Sequence, residues 1–139
     1  MAGKLSVRLE NRLDEIQRVD TAIEEFTEQL DLSFSDVFQI RLVVEELFTN
    51  IVSYAYEDDD LHEIFVTVAY EEGRLEVTLV DDGMEFNPLT VDPHHNEADT
   101  IEELEIGGKG WTLVRAYMNE FEYDYSDGKN RLKLVKHLS

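Results

Sequence analysis

The sequence predicts an α+β protein, a two-layer α/β sandwich with helices on one face of a mixed, largely antiparallel sheet. Three observations carry this expectation. Residues 63–70 and 74–81 alternate apolar and polar side chains on either side of a Glu-Glu-Gly turn, a hairpin signature. A second strand pair flanks Asp127-Gly128-Lys129-Asn130 near the end of the chain. The segments before and between these pairs space their apolar residues at helical intervals.

Taken in order, residues 5–10 alternate and read as a strand. Over residues 13–30, Leu13, Ile16, Val19, Ile23, Phe26 and Leu30 form the apolar stripe of an amphipathic helix. Ser35 is the expected N-cap of a second helix running from Asp36 to about Tyr56. Its wealth of Val, Ile, Leu and Phe predicts burial on more than one side. Residues 57–60 are a solvated acidic break, and the first hairpin follows. Residues 89–106 are polar and acidic, with a short helical pattern only near 100–104. A loop that long in a small domain is usually functional or disordered. Leu113, Val114, Tyr117 and Met118 mark a short helix over 110–118, before the closing hairpin. The length of 139 residues fits one domain, 1–139, and no internal repeat is visible.

Composition narrows the function. The chain is 42% hydrophobic with 7 Phe, 6 Tyr and one Trp, enough for a core. It has no cysteine, which excludes disulfides and thiolate metal sites. The first residues lack the apolar core of a signal peptide, and no stretch is apolar enough to span a membrane. A soluble, cytoplasmic protein is expected. The net charge is −20, and residues 42–108 hold nineteen acidic residues against one basic residue, Arg74. Direct nucleic-acid binding is disfavoured, because it needs clustered Lys and Arg. A polyanionic ligand would need a divalent cation, backbone N–H groups or the few basic residues nearby. A basic protein partner would be steered by the field.

Three motifs stand out. In the second helix, Leu42, Glu46, Asn50 and Tyr54 form one i, i+4 row beside the apolar row Val43, Leu47, Ile51 and Ala55. Glu46 and Asn50 therefore border the buried stripe, where polar groups must be hydrogen-bonded or face a cavity. An asparagine oxygen suits Mg2+, which takes few protein ligands. A glutamate one turn away could orient or deprotonate an attacking hydroxyl or water. Taken alone, the pair reads better as a solvated helix edge, and Glu45 reads as solvated. Asp81 ends an apolar strand, where its carboxylate could accept from an exocyclic amine such as that of adenine. Gly83 would let a ligand ring approach the backbone. Taken alone, Asp81-Asp82-Gly83 is an ordinary strand-end turn with Asp82 facing solvent. Gly107, Gly108 and Gly110 precede a helix and could present N–H groups to phosphate. Lys109 is the sole basic residue between Arg74 and Arg115. The alternative there is a hinge with a close helix–sheet contact. The pattern is neither a P-loop nor a dinucleotide fingerprint. His94 and His95 read as exposed loop residues, and Trp111 as core or lid packing.

In this order the segments resemble the GHKL (histidine kinase-like) ATPase superfamily. They are most similar to its small bacterial anti-sigma factor serine kinases of the partner-switching type. Residues 46–50, Glu-Leu-Phe-Thr-Asn, correspond to the N-box. Asp81-Asp82-Gly83 through Phe86-Asn87-Pro88 corresponds to the first glycine box, and the segment from Gly107 to the second. The resemblance covers nearly the whole chain and implies a Bergerat-type ATP-binding fold. It implies that Asn50 ligates Mg2+, Glu46 is the general base and Asp81 binds adenine, with Gly83 in the same box. It implies that Gly107, Gly108, Lys109 and Gly110 border the triphosphate, with 89–106 as a lid. It further implies ATP-dependent serine phosphorylation of an anti-anti-sigma protein, binding of a sigma factor, and a homodimer. The alternatives are an ATP/ADP-binding regulatory module without phosphotransfer and an acidic interaction protein without nucleotide. Two departures are visible: Glu85 stands where many members have a second glycine, and Asn130-Arg131-Leu132 lacks the threonine that some relatives place near adenine.

Overall fold

A computed structural model describes residues 2–90 and 110–138. Strand β1 (Ala2–Glu10) leads through a 3-10 turn (Leu13–Glu15) into helices α1 (Ile16–Glu28) and α2 (Phe34–Tyr54). The hairpin of β2 (Glu63–Glu71) and β3 (Arg74–Asp81) follows, then a 3-10 turn at Pro88–Thr90. Helix α3 (Gly110–Tyr117) and the hairpin of β4 (Glu120–Ser126) and β5 (Lys129–His137) complete the described chain.

The five strands form one sheet in the order β1-β2-β3-β5-β4, and every neighbouring pair is antiparallel. The predicted sandwich is thus found, with no parallel pair among the described strands. In the last hairpin, β5 carries the apolar alternation Leu132, Leu134 and takes the inner place. β4, with Glu120, Glu122 and Asp124, is the edge. Charge on an edge strand discourages pairing with other chains.

Both tight turns follow from their residues. Glu72 (φ 42°) and Gly73 (φ 81°) turn the first hairpin, and Asp127 (φ 54°) and Gly128 (φ 73°) the second. Two consecutive positive φ angles match the right-handed strand twist. Glycine at the second position removes the steric cost there.

The register stacks the inner face. Val66 lies opposite Leu79, which lies opposite Leu132; Val68 lies opposite Val77, which lies opposite Leu134. Against this face pack Val19 and Ile23 of α1, Val114 of α3, and Ile40, Val43, Val44, Leu47, Phe48 and Ile51 of α2. α2 is buried on more than one side, as its apolar content predicts. Each fully buried Leu, Ile or Phe contributes about 1.5–3 kcal/mol.

Two boundaries differ from the sequence reading. The N-cap of α2 is Ser33, whose side chain accepts from the Asp36 N–H at 3.1 Å, rather than Ser35. Ser33 has the extended backbone (ψ 151°) a cap requires, whereas Ser35 already lies in the first turn. The earlier start leaves Phe34 exposed and stacked on Phe38 at 6.4 Å. Leu13 is half exposed, because it lies in the 3-10 turn and not on the α-helical stripe. Glu15 is buried there instead, accepting from the Glu10 N–H and from Arg18. No helix among the described residues is long and apolar enough to cross a membrane.

Candidate functional site

α2 places Asn50 wholly inside the protein. Its Nδ2 donates to the Pro88 carbonyl at 3.2 Å, while its Oδ1, also buried, accepts no hydrogen bond from the described residues. A buried acceptor left unpaired costs about 1–3 kcal/mol, so an orphan of this kind calls for a partner. A neutral carbonyl oxygen held by its own amide is a donor suited to Mg2+. Among the described residues no group of three or more His, Cys, Asp or Glu could hold a metal. Glu46 lies one turn earlier on the same row and is half-buried.

Asp81 is 2% exposed at the end of β3. Its Oδ1 accepts from the Gly83 N–H and from Asn130 Nδ2, each at 2.9 Å. Burial pushes its carboxyl above the usual range; the bonds from Asn130 and Gly83 oppose this, and the charge of Asp82 adds to it. Asp82 itself is exposed, as predicted.

Gly83 is required where its loop meets α2. A Cβ there would lie 2.4 Å from the carbonyl oxygen of Ala55, the C-cap of α2. The Met84 N–H donates to that same oxygen at 2.8 Å. The close approach is therefore to the end of α2. The segment after Asp81 runs back along the helix in three contacts: Met84 on Ala55, Phe86 against Tyr54 (6.0 Å between rings) and Pro88 on Asn50. The first two motifs are thereby one mechanical unit. α3 packs on α2 and on the Pro88–Thr90 turn, with Val114 and Met118 buried.

Gly110 opens α3. Gly107, Gly108, Lys109, His94, His95 and the short helical pattern near 100–104 lie outside the described residues, as does the Trp111 side chain.

Three groups, Asn130, Tyr56 and His62, have no role assigned by the sequence reading. Asn130 lies directly opposite Asp81 in the β3–β5 register and is buried. In the sequence it stands out only as part of a segment lacking the threonine of some relatives; its place beside Asp81 depends on the sheet order. Tyr56, just past α2, has a buried hydroxyl without a hydrogen-bond partner among the described residues, and burial pushes its phenol up. Its ring stacks on His62 at 4.4 Å. His62 bridges Asp58 (2.8 Å) and Asp82 (3.3 Å), and the Asp58 bond foremost holds its pKa above the ordinary value. Glu45, expected in solvent, is half-buried and faces α1. Burial, then the hydrogen bond and charge of Asp20, push its carboxyl up to about 7 against the pull of Arg41.

A buried helix, a strand-end carboxylate and a connecting loop seated on that helix lie on a five-stranded antiparallel sheet, an α/β arrangement of the histidine kinase-like type. The chain belongs to the histidine kinase-like ATPase domain family, whose sequence pattern matches residues 9–136. It is similar to the Anti-sigma F factor of Bacillus subtilis (strain 168), 28% identical over 118 residues, covering 84% of this chain and 80% of the relative. It is likewise similar to the Anti-sigma F factor of Geobacillus thermodenitrificans, 29% identical over 138 residues, covering 98% of this chain and 90% of the relative. Among solved structures, the RsbU and RsbW domains of a Mycobacterium tuberculosis protein share its fold with a TM-score of 0.70 at 17% identity. That likeness covers 98% of this chain and 32% of the longer one, so this chain spans about a third of it.

Proposed function

We propose that this protein is an anti-sigma regulatory factor with ATP-dependent serine kinase activity. It phosphorylates an anti-anti-sigma protein, binds a sigma factor, and works in the cytoplasm as a homodimer, with residues 1–139 acting as one ATPase domain. The observation that carries the reading is the buried, unpartnered Oδ1 of Asn50 beside the Asp81 loop. The similarity to relatives named Anti-sigma F factor supports the regulatory half.

In this reading Asn50 Oδ1 ligates Mg2+, which supplies charge neutralisation on the phosphates. Asp81 accepts from the exocyclic amine of adenine, and Gly83 keeps its loop seated on α2. Backbone N–H groups at Gly107, Gly108 and Gly110, with the Lys109 ammonium, take the triphosphate. Glu46 accepts the proton of the partner's serine hydroxyl as that oxygen bonds to the γ-phosphorus and the bond to the ADP oxygen breaks. Few side chains need act, because phosphoryl transfer rests on positioning and charge stabilisation. In so acidic a chain, cation and backbone donors replace a basic pocket.

The test is calorimetric titration with ATP and ADP, each with Mg2+ and with EDTA. Magnesium-dependent binding that is lost in Asn50→Ala is expected. Equal affinity in EDTA, or an unchanged Asn50→Ala, would remove the metal assignment.

A further inference from the structure

Asparagine offers two N–H donors and one oxygen with two acceptor sites. Asn130 uses all four. Its Nδ2 donates to Asp81 Oδ1 at 2.9 Å and to the Met84 carbonyl at 2.7 Å. Its Oδ1 accepts from the Phe86 N–H at 2.8 Å and from the Tyr123 hydroxyl. Two acceptors on one side and two donors on the other leave a single orientation for the amide. They also leave Asn130 no free valence for a ligand. Whatever it does for binding, it does through the groups it holds.

The chief of those groups is Asp81. Its Oδ1 is filled by Gly83 and Asn130, and its Oδ2 accepts nothing from the described residues. The carboxylate is thus pinned by one oxygen and presents the other. A carboxylate oxygen accepts from an amine and repels a ring carbonyl, because it has no proton to give. We propose that Asn130 is the positioning residue for base selection: it locks the Asp81 carboxylate so that the remaining oxygen admits a purine with a 6-amine and rejects one with a 6-carbonyl. This rests on the proposed role of Asp81 in nucleotide binding. The same side chain joins β5 to Met84 and Phe86, so the loop that Asn50 grips through Pro88 is aligned from the sheet as well. Burial pushes the Asp81 carboxyl up and the Asn130 bond pulls it down, so the Asn130 contact favours the charged form of the acceptor.

The experiment compares wild type, Asn130→Ala and Tyr123→Phe in titrations with Mg-ATP and Mg-inosine triphosphate, in which a carbonyl replaces the amine. The Asp81 carboxyl is titrated without ligand by carbon-detected NMR, assigned with Asp81→Asn. Wild type should prefer ATP. Asn130→Ala should lose about tenfold for ATP, the loss of one charge-assisted bond, with little change for inosine triphosphate. Its Asp81 midpoint should rise. Tyr123→Phe, which removes one of the four bonds and keeps the ring, should move both readouts the same way by less. Equal losses for both nucleotides would mark a merely structural role and overturn the proposal. So would an Asp81 titration unmoved in both variants. A wild type blind to the 6-position would instead overturn the role of Asp81 in base recognition, while the ligand-free titration would still judge its tie to Asn130. Where Asn130→Ala does not fold, unchanged readouts in Tyr123→Phe overturn the proposal.

Discussion

Asn50 on α2 and Asn130 on β5 are both buried asparagines, and both hold the segment between Met84 and Pro88. Their surroundings differ in one respect. Asn130 has every hydrogen-bonding position filled by protein, whereas Asn50 keeps a buried oxygen without a partner among the described residues. A saturated polar group in a low-dielectric interior rigidifies its neighbourhood; a half-satisfied one carries a standing cost that a ligand relieves. In the proposed reading the unsatisfied Asn50 oxygen awaits a ligand, while Asn130 holds the shape of its surroundings. Burial alone does not separate the two roles, and the hydrogen-bond inventory does.

The largest expected effect tests the reactive side. Glu46→Gln keeps the size and removes the base, so phosphorylation of the partner should fall by about 10²–10⁴-fold while Mg-ATP affinity stays near wild type. A normal phosphorylation rate would take Glu46 out of the mechanism.

The stability of the two asparagine variants sharpens the contrast directly. Asn130→Ala strands two backbone groups, a tyrosine hydroxyl and part of a carboxylate, and should cost about 2–4 kcal/mol in denaturant unfolding. Asn50→Ala loses one bond and also removes an orphan acceptor, so it should cost about 1 kcal/mol apart from its cavity. Equal costs would erase the distinction between scaffold and site.

Gly83→Ala probes the seam between the two sides. Its Cβ meets backbone at Ala55, which cannot swing away, so a loss of about 1–3 kcal/mol is expected in thermal unfolding, with weakened nucleotide binding. Full stability would mean that the loop seats on α2 in another way.

The smallest effect is one of pH, on the α1–α2 seam. Glu45 has its folded pKa raised from 4.5 to about 7, so the folded state binds more protons than the unfolded chain in that window. Its contribution to stability is present below pH 4.5 and is lost as pH rises through about 7. His62 acts with the same sign: its raised pKa gives stability present below pH 6.5 and lost above its folded pKa. Melting temperatures between pH 5 and 8 should flatten in Glu45→Gln over the lower part of the range. A profile identical to wild type would remove Glu45 as a contributor.

Much of this was legible beforehand where the signal was local. Alternation and an Asp-Gly or Glu-Gly turn mark both hairpins, because turn geometry sets register within a few residues. The i, i+4 row sets Glu46 and Asn50 on one edge of the apolar stripe, because helical geometry is regular. The sequence resemblance led to the ATPase family and to its anti-sigma branch, the name carried by the relatives. The sequence misled where neighbours decide. Ser35 reads as the cap of α2, but the backbone angles give that place to Ser33. Glu45 looks solvated until α1 lies against it. Gly83 gives no sign of its contact with Ala55 until the loop lies against α2.

The sequence by itself determined the elements, the fold class and the family, because these follow from periodicity, turn chemistry and motif order along the chain. Only the tertiary structure decided that β5 stands between β3 and β4, and so that Asn130 faces Asp81 across 49 positions of sequence. It alone left Asn50 Oδ1 without a partner and brought the Asp81 loop against Ala55. Whether a polar atom is satisfied depends on atoms distant in the chain, and local pattern carries no record of them.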